Sequence, residues 1–348
     1  MTLGPVMIDL AAPTLTAQER EMLRHPQTGG VILFTRNYID IDQLCDLADE
    51  IHAIRKPRLL IGIDQEGGRV QRLRSGFTRL PALRRLGQIY NHERGRALDL
   101  AESAGWLMAA ELRSVGIDFS FAPVLDLDRG ENRIIGDRAL HRDPEAVAAL
   151  AQRYMLGMRR AGMAAVGKHF PGHGPVKEDS HTALPIDRRP CADIFAEDML
   201  PFERMIHYGL TGIMPAHIVY ACADDQPATF SRYWLTEVLR RWLGFEGAIF
   251  SDDLSMKGAE QAGDYGQRAI VALKAGCDMV LACNNPEGAA AALARLEGFE
   301  APASQIRLTR LHGQQRVDYT ELRESQIWRA AEQRVRSIDE PPTLEMDV

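Results

Sequence analysis

Residues 59–68 read LLIGIDQEGG, and this stretch decides the fold. Leu59, Leu60, Ile61 and Ile63 form an apolar run of strand length, too short for a buried helix, and it stops abruptly at Asp64, Gln65 and Glu66 before the Gly67–Gly68 pair. A run without polar alternation suits a strand covered on both faces, as in a parallel sheet flanked by helices. Acidic and amide residues crowd its C-terminal end, which is where such sheets carry their sites.

Comparable runs fall at 6–10, 31–34, 118–124, 164–170, 212–218, 247–253 and 278–283, so eight strands are expected in all. Between them helical periodicity covers 18–25, 43–54, 97–115, 144–161, 192–208, 234–242, 265–275 and 288–296. Several of these end at a glycine suited to a left-handed C-cap: Gly116, Gly162, Gly209, Gly244 and Gly276. Eight alternations predict an α/β fold, a single (β/α)8 TIM-type barrel. An open doubly wound sheet stops earlier and carries a glycine-rich dinucleotide turn, which does not follow the first strand here. The expected organisation is a catalytic barrel over 1–300, extra C-terminal helices over 301–338 (one of them at 322–338) packed on it, and a frayed tail at 339–348 holding Pro341 and Pro342.

Composition narrows the function classes. The chain of 348 residues is 45% hydrophobic and 26% charged, as a globular protein is. Forty-one Lys and Arg against 48 Asp and Glu give a net charge of −7 with no basic stripe, which argues against a nucleic-acid partner. No segment reaches the ~20 apolar residues of a membrane span, and residues 1–10 lack the pattern of a secretory leader, so a cytoplasmic protein is expected. Cys45, Cys191, Cys222, Cys277 and Cys283 are scattered and odd in number, which speaks against a disulfide framework or zinc site and for a reducing compartment.

Polar residues recur where the other strands end: Asp126 and Asp128 after the fourth, Lys168 and His169 on the fifth, His217 on the sixth, Ser251, Asp252 and Asp253 on the seventh. Carboxylates placed after buried β-branched runs are costly unless paired or solvated, so the set points to one shared polar cavity. Taken singly, Asp126, Asp128 or Asp253 reads equally well as a helix N-cap, and His217 as a structural histidine. The densest segment, GKHFPGHGPVKEDSH at 167–181, combines Lys168, His169, His173, Asp179 and His181 with prolines and glycines that shape a loop. Asp179 and His181 stand two apart, and a carboxylate beside an imidazole orients its tautomer and raises its pKa, as a proton donor and acceptor near neutral pH requires. The same histidines would also serve a metal-dependent barrel hydrolase, although their spacing fits no common zinc pattern.

The segments DQEGGR (64–69), KHFPGHG (168–174), DSH (179–181) and FSDDLSM (250–256) resemble glycoside hydrolase family three, in particular its bacterial branch of β-N-acetylglucosaminidases acting in peptidoglycan recycling. The resemblance runs from about residue 6 to about 286. It implies a retaining exo-acting hydrolase of terminal β-linked N-acetylglucosamine, with Asp252 as nucleophile, His181 as general acid/base and Asp179 as its partner. Sugar binding is implied for Asp64, Arg72, Arg138, Lys168 and His169. Asp252 is preferred to Asp253 because the family's nucleophile directly follows Ser or Thr at that strand end, with Lys168 near it. No cofactor and no metal is implied. The expected partner is a small muropeptide or disaccharide carrying N-acetylglucosamine, acted on by a monomer. Two other readings stay open: substrate-assisted cleavage with Asp252 and Asp253 as the polarising pair, and a sugar-binding sensor that has kept the fold without the chemistry.

Overall fold

The computed structural model describes residues 2–130, 132, 134–176 and 184–338. Its centre is a closed parallel barrel of eight strands: β1 (Val6–Asp9), β2 (Thr28–Leu33), β3 (Leu60–Ile63), β4 (Phe119–Ser120), β5 (Ala164–Phe170), β6 (Gly212–Pro215), β7 (Ala248–Asp253) and β8 (Met279–Ala282). Each strand pairs with its neighbours in the chain, and β8 closes on β1 through Val6–Val280 and Met7–Leu281. A helix follows every strand, in order Ala17–Arg24, Ile41–Ala53, Arg94–Ser114, Pro144–Arg160, Leu200–His207, the π-helical Tyr233–Trp242, Tyr265–Ala275 and Pro286–Arg295. The expected α/β barrel is therefore the fold.

Local chemistry sets the element ends. Thr16 and Glu19 cap the first helix reciprocally, and Asp143 caps the helix opened by Pro144. All five glycines expected at helix ends have positive φ, from 64° at Gly244 to 133° at Gly276. The fourth strand is shorter than the expected 118–124, because Pro123 has no N–H to give the ladder. The backbone stays beside β5 through single bonds, Val166 N–H to Ala122 O at 2.9 Å and Leu125 N–H to Lys168 O at 2.7 Å.

Inside the barrel Phe119, Phe121 and Phe250 meet with centroids 5.1–5.5 Å apart, all fully buried. Each such ring stabilises the fold by roughly 1.5–3 kcal/mol relative to exposure. Gly62 makes room for them, since a Cβ there would stand 2.9 Å from the Phe119 ring. This apolar cluster reaches up to the mouth cavity, where Phe121 forms part of the wall.

Beyond the barrel the chain forms helices Pro302–Thr309, Tyr319–Glu324 and Gln326–Arg336. The single helix expected at 322–338 is broken at Ser325, which turns extended and caps the last helix by accepting from Trp328 N–H at 3.2 Å. Trp328 donates its indole N–H to Glu111 on Arg94–Ser114 at 2.9 Å, fastening the last helix to the barrel's outer layer. The expected tail at 339–348 lies outside the described residues.

One expectation is overturned. Cys191 and Cys222 form a disulfide with Cα atoms 5.5 Å apart, while Cys45, Cys277 and Cys283 are free thiols. The pair is 31 residues apart in the chain. What joins it is topology: the loops after β5 and β6 run side by side, with Ile186–Asp187 pairing Val219–Tyr220, and no spacing rule reads such a neighbourhood.

Candidate active site

The C-terminal ends of the strands surround a cavity of about 600 Å³ whose wall includes Asp64, Glu66, Arg72, Arg138, Lys168, His169, His173, His217, Asp252 and Asp253. The fold brings these together from β3 to β7. Asp64 follows β3 directly, and a tight hairpin, Gln65–Gly67 against Val70–Gln71, turns the chain back so that Arg72 Nη2 stands 3.4 Å from Asp64 Oδ2. The Gln65 amide oxygen accepts from Arg72 N–H and Leu73 N–H, both at 3.0 Å, and fixes that return.

Lys168, 3% exposed, is committed to two carboxylates, with Nζ 2.7 Å from Asp64 Oδ1 and 2.7 Å from Glu66 Oε1. It is thus an anchor of the carboxylates that follow β3. Arg138, on the turn Gly136–Arg138, makes a fork on Glu66 with bonds of 2.7 and 2.8 Å. Arg84 holds the turn by donating to Gly136 O at 2.8 Å.

Burial alone would raise the Glu66 carboxyl, yet Arg138 and Lys168 hold it well below the usual carboxylate range. Asp64 is likewise lowered, since Lys168 and then Arg72 outweigh burial. Lys168 is raised because Asp64 and Glu66 outweigh burial. The result is a fixed lattice of charges, with Asp64 and Arg72 exposed enough at its edge to meet a ligand's hydroxyls.

Asp126 is not a helix cap. It is 1% exposed, and its carboxylate accepts from His169 Nδ1 at 2.7 Å, His169 N–H at 3.2 Å and His173 N–H at 2.7 Å. A carboxylate only accepts here, so His169 Nδ1 carries a proton. His173 Nδ1 accepts from Asn132 Nδ2 at 2.8 Å, and Asn132 also donates to Gly174 O at 3.2 Å. Burial, aided by His169 and Arg138 and opposed by Asp126, pushes His173 down to about 4, so it is neutral at pH 7.

The two carboxylates at the end of β7 differ sharply. Asp253 Oδ1 accepts from Ser255 N–H at 2.9 Å, and Oδ2 accepts from Ser255 Oγ–H at 2.7 Å and Asn284 Nδ2 at 3.2 Å. This is a turn bond two residues along, which is what its N-cap-like sequence position amounts to. Burial first, and the nearby Asp252 charge, raise its carboxyl to about 6. Asp252 accepts only the Asp253 N–H at 2.8 Å among the described residues, so it keeps an oxygen for the cavity.

The glycine–proline loop after β5 is firmly based. Tyr220 Oη–H donates to Gly172 O at 2.7 Å, and Arg189 bridges Asp187 and Asp198, each at 2.7 Å. Gly174 has φ of 63°, and a Cβ there would lie 2.6 Å from Asp187 Oδ2, so the close approach admits no side chain. Asp179 and His181 lie outside the described residues. Among the described residues no group of three or more His, Cys, Asp or Glu side chains converges as a metal site.

Sequence reasoning singled out Asp64, Arg72, Arg138, Lys168, His169 and Asp252, and all line this one cavity. The sequence assigns no role to Glu66 or Asn132, offers Asp126 as a strand-end acid or helix cap, and offers His173 only as a metal ligand. Glu66 had a signal: Lys168, Arg72 and Arg138 in one buried site leave Asp64 outnumbered, and a second anion is required.

A (β/α)8 barrel with paired charges, a buried neutral imidazole and an available carboxylate at its C-terminal mouth defines a barrel enzyme acting on a polar ligand. Comparison with known proteins narrows this. The Glycosyl hydrolase family 3 N terminal domain matches residues 5–312. A beta-hexosaminidase of Thioalkalivibrio sulfidiphilus is 60% identical over the full length of both chains. One of Nitrosospira multiformis is 56% identical over 91% of each. NagZ from Neisseria gonorrhoeae, solved in complex with N-trifluoroacetyl-D-glucosamine, superposes with a TM-score of 0.91 at 43% identity, covering 98% of this chain and 99% of that one. The chain belongs to glycosyl hydrolase family 3, and it is a glycoside hydrolase of the beta-hexosaminidase kind.

Proposed function

We propose that this enzyme is a retaining exo-β-N-acetylglucosaminidase that works through a covalent glycosyl–Asp252 ester, with His181 as acid/base and Asp179 as its partner. The observation that carries the reading is the contrast at β7: Asp252 keeps an oxygen toward the cavity, while Asp253 is tied to Ser255 and Asn284. In the first step Asp252 attacks the anomeric carbon, the C1–O bond breaks, and His181 gives its proton to the departing oxygen. In the second, water loses a proton to His181, attacks the same carbon and releases Asp252, so configuration is retained overall. Asp64, Arg72, Arg138, Lys168 and His169 orient the sugar, Arg138 and Lys168 in part by holding the carboxylates they pair with.

The natural substrate in this reading is N-acetylglucosamine linked to 1,6-anhydro-N-acetylmuramic acid, with or without peptide, released during cell-wall turnover. Support comes from the family resemblance and from the gonococcal relative's complex with an acylated glucosamine. Residues 1–300 act as the catalytic unit, 301–338 brace it, and the enzyme works as a monomer. The free thiols Cys45, Cys277 and Cys283 suit action in the cytoplasm, while the Cys191–Cys222 bond is the feature that argues the other way. Proton NMR of the first-formed sugar tests the route: the β-anomer is expected, and initial α-anomer would refute it.

A further inference from the structure

His217 is a histidine that the mechanism above does not use, yet it lies in the cavity wall, 1% exposed and stacked on Phe230 with rings 5.5 Å apart and 19° from parallel. Its Nε2 stands 3.0 Å from the carbonyl oxygen of Asp253. A carbonyl only accepts, so Nε2 carries the proton and the imidazole donates.

That carbonyl is at a place where the sheet has lost its own hold. The register of β7 against β8 shifts between Phe250 and Asp253, a bulge that takes Ser251 and Asp252 out of the regular ladder. The bulge is fastened by separate bonds. Ser251 Oγ accepts from Leu281 N–H at 2.9 Å, Leu254 N–H donates to Leu281 O at 2.9 Å, and Asp253's carboxylate is held by Ser255 and Asn284. These bonds grip the bulge through β8 and the following loop. From the segment just past β6 comes the bond from His217, and it acts on the residue whose N–H holds Asp252 Oδ1 at 2.8 Å.

We infer that His217 is a positioning residue for the nucleophile: by donating to Asp253 O from the segment just past β6 it sets the orientation of the Asp253 backbone, and through the Asp253 N–H the direction of the Asp252 carboxylate. The inference rests on Asp252 being the nucleophile. It predicts a defect in attack rather than in sugar binding, because the bond is made to the backbone and not to a ligand. Phe230 fixes the imidazole plane, so a residue that keeps the stacking but cannot donate isolates the hydrogen bond.

The test compares His217→Phe, which retains a ring against Phe230, with His217→Gln, whose amide nitrogen reaches the same carbonyl. Burst kinetics on an aryl β-N-acetylglucosaminide give the glycosylation rate. Loss of one aimed hydrogen bond predicts glycosylation slowed about tenfold or more in His217→Phe with KM changed less than about threefold, and His217→Gln within about threefold of wild type. Should His217→Phe not fold, His217→Leu replaces it in the same comparison. An unchanged rate in the non-donating variant, an equal loss in Gln and Phe, or a loss confined to KM overturns the inference. Azide rescue of Asp252→Ala tests the underlying assignment separately. Formation of the α-glycosyl azide upholds it, and absence of rescue removes the nucleophile reading and this inference with it.

Discussion

Asp253 donates its backbone N–H to the Asp252 carboxylate at 2.8 Å, while its own carboxylate turns away onto Ser255 and Asn284. Two adjacent acids thus have separate sets of partners. Asp252→Ala is expected to lower kcat by several orders of magnitude, roughly what loss of a covalent route costs, and Asp253→Ala by about ten- to a hundredfold through a loosened bulge. Steady-state kinetics with an aryl glycoside check this, and equal or reversed losses would contradict it.

The raised carboxyl of Asp253 has a consequence for stability. With a pKa of about 6 in the folded enzyme against an ordinary value of 3.8, the folded form holds the proton more tightly than the unfolded chain. Its contribution favours folding below pH 3.8 and is lost as pH rises through about 6. Asp253→Asn should therefore gain on wild type by on the order of 2 kcal/mol as pH moves from 4 to 7.5. Thermal melts of both proteins at the two values measure it; parallel curves would show that Asp253 does not titrate there.

His173 acts in the opposite sense. Burial lowers it from 6.5 to about 4, so below pH 6.5 the unfolded chain takes up a proton that the folded enzyme refuses. Stability is fully present above pH 6.5 and falls away as pH drops through about 4. His173→Asn keeps an acceptor for Asn132 without a titrating group, and should lose on the order of 3 kcal/mol less than wild type between pH 7 and 4. Urea unfolding at both pH values reads the difference.

Glu66 holds Arg138 and Lys168 at once. Glu66→Gln leaves buried cations undercompensated and should cost about 3–5 kcal/mol. Adding Arg138→Met ought to restore part of that stability without restoring activity, since the guanidinium that lines the cavity is gone. Denaturant melts and kcat/KM on the single and double variants separate the two effects, and full additivity would show that the pair is not coupled.

The barrel was legible because burial on both faces writes each strand as an apolar run, and the five C-cap glycines mark helix ends through a backbone conformation that other residues resist. Asp64, Lys168 and Asp252 were legible for the same reason, as polar residues at strand ends. Glu66 was harder to read because its role is defined by Arg138, 72 residues away, and by Lys168 on another strand. Asp126 resembled a cap until His169 and His173 were seen to converge on it. The Cys191–Cys222 bond and the bulge at Asp252 likewise arise from pairing between segments, which local pattern does not encode.

The most direct test is to trap the enzyme with a 2-acetamido-2-deoxy-5-fluoro glycoside and locate the sugar ester by peptide mass spectrometry. The account predicts a single ester on Asp252. An ester on Asp253, or turnover through an oxazoline with no protein adduct, would contradict it.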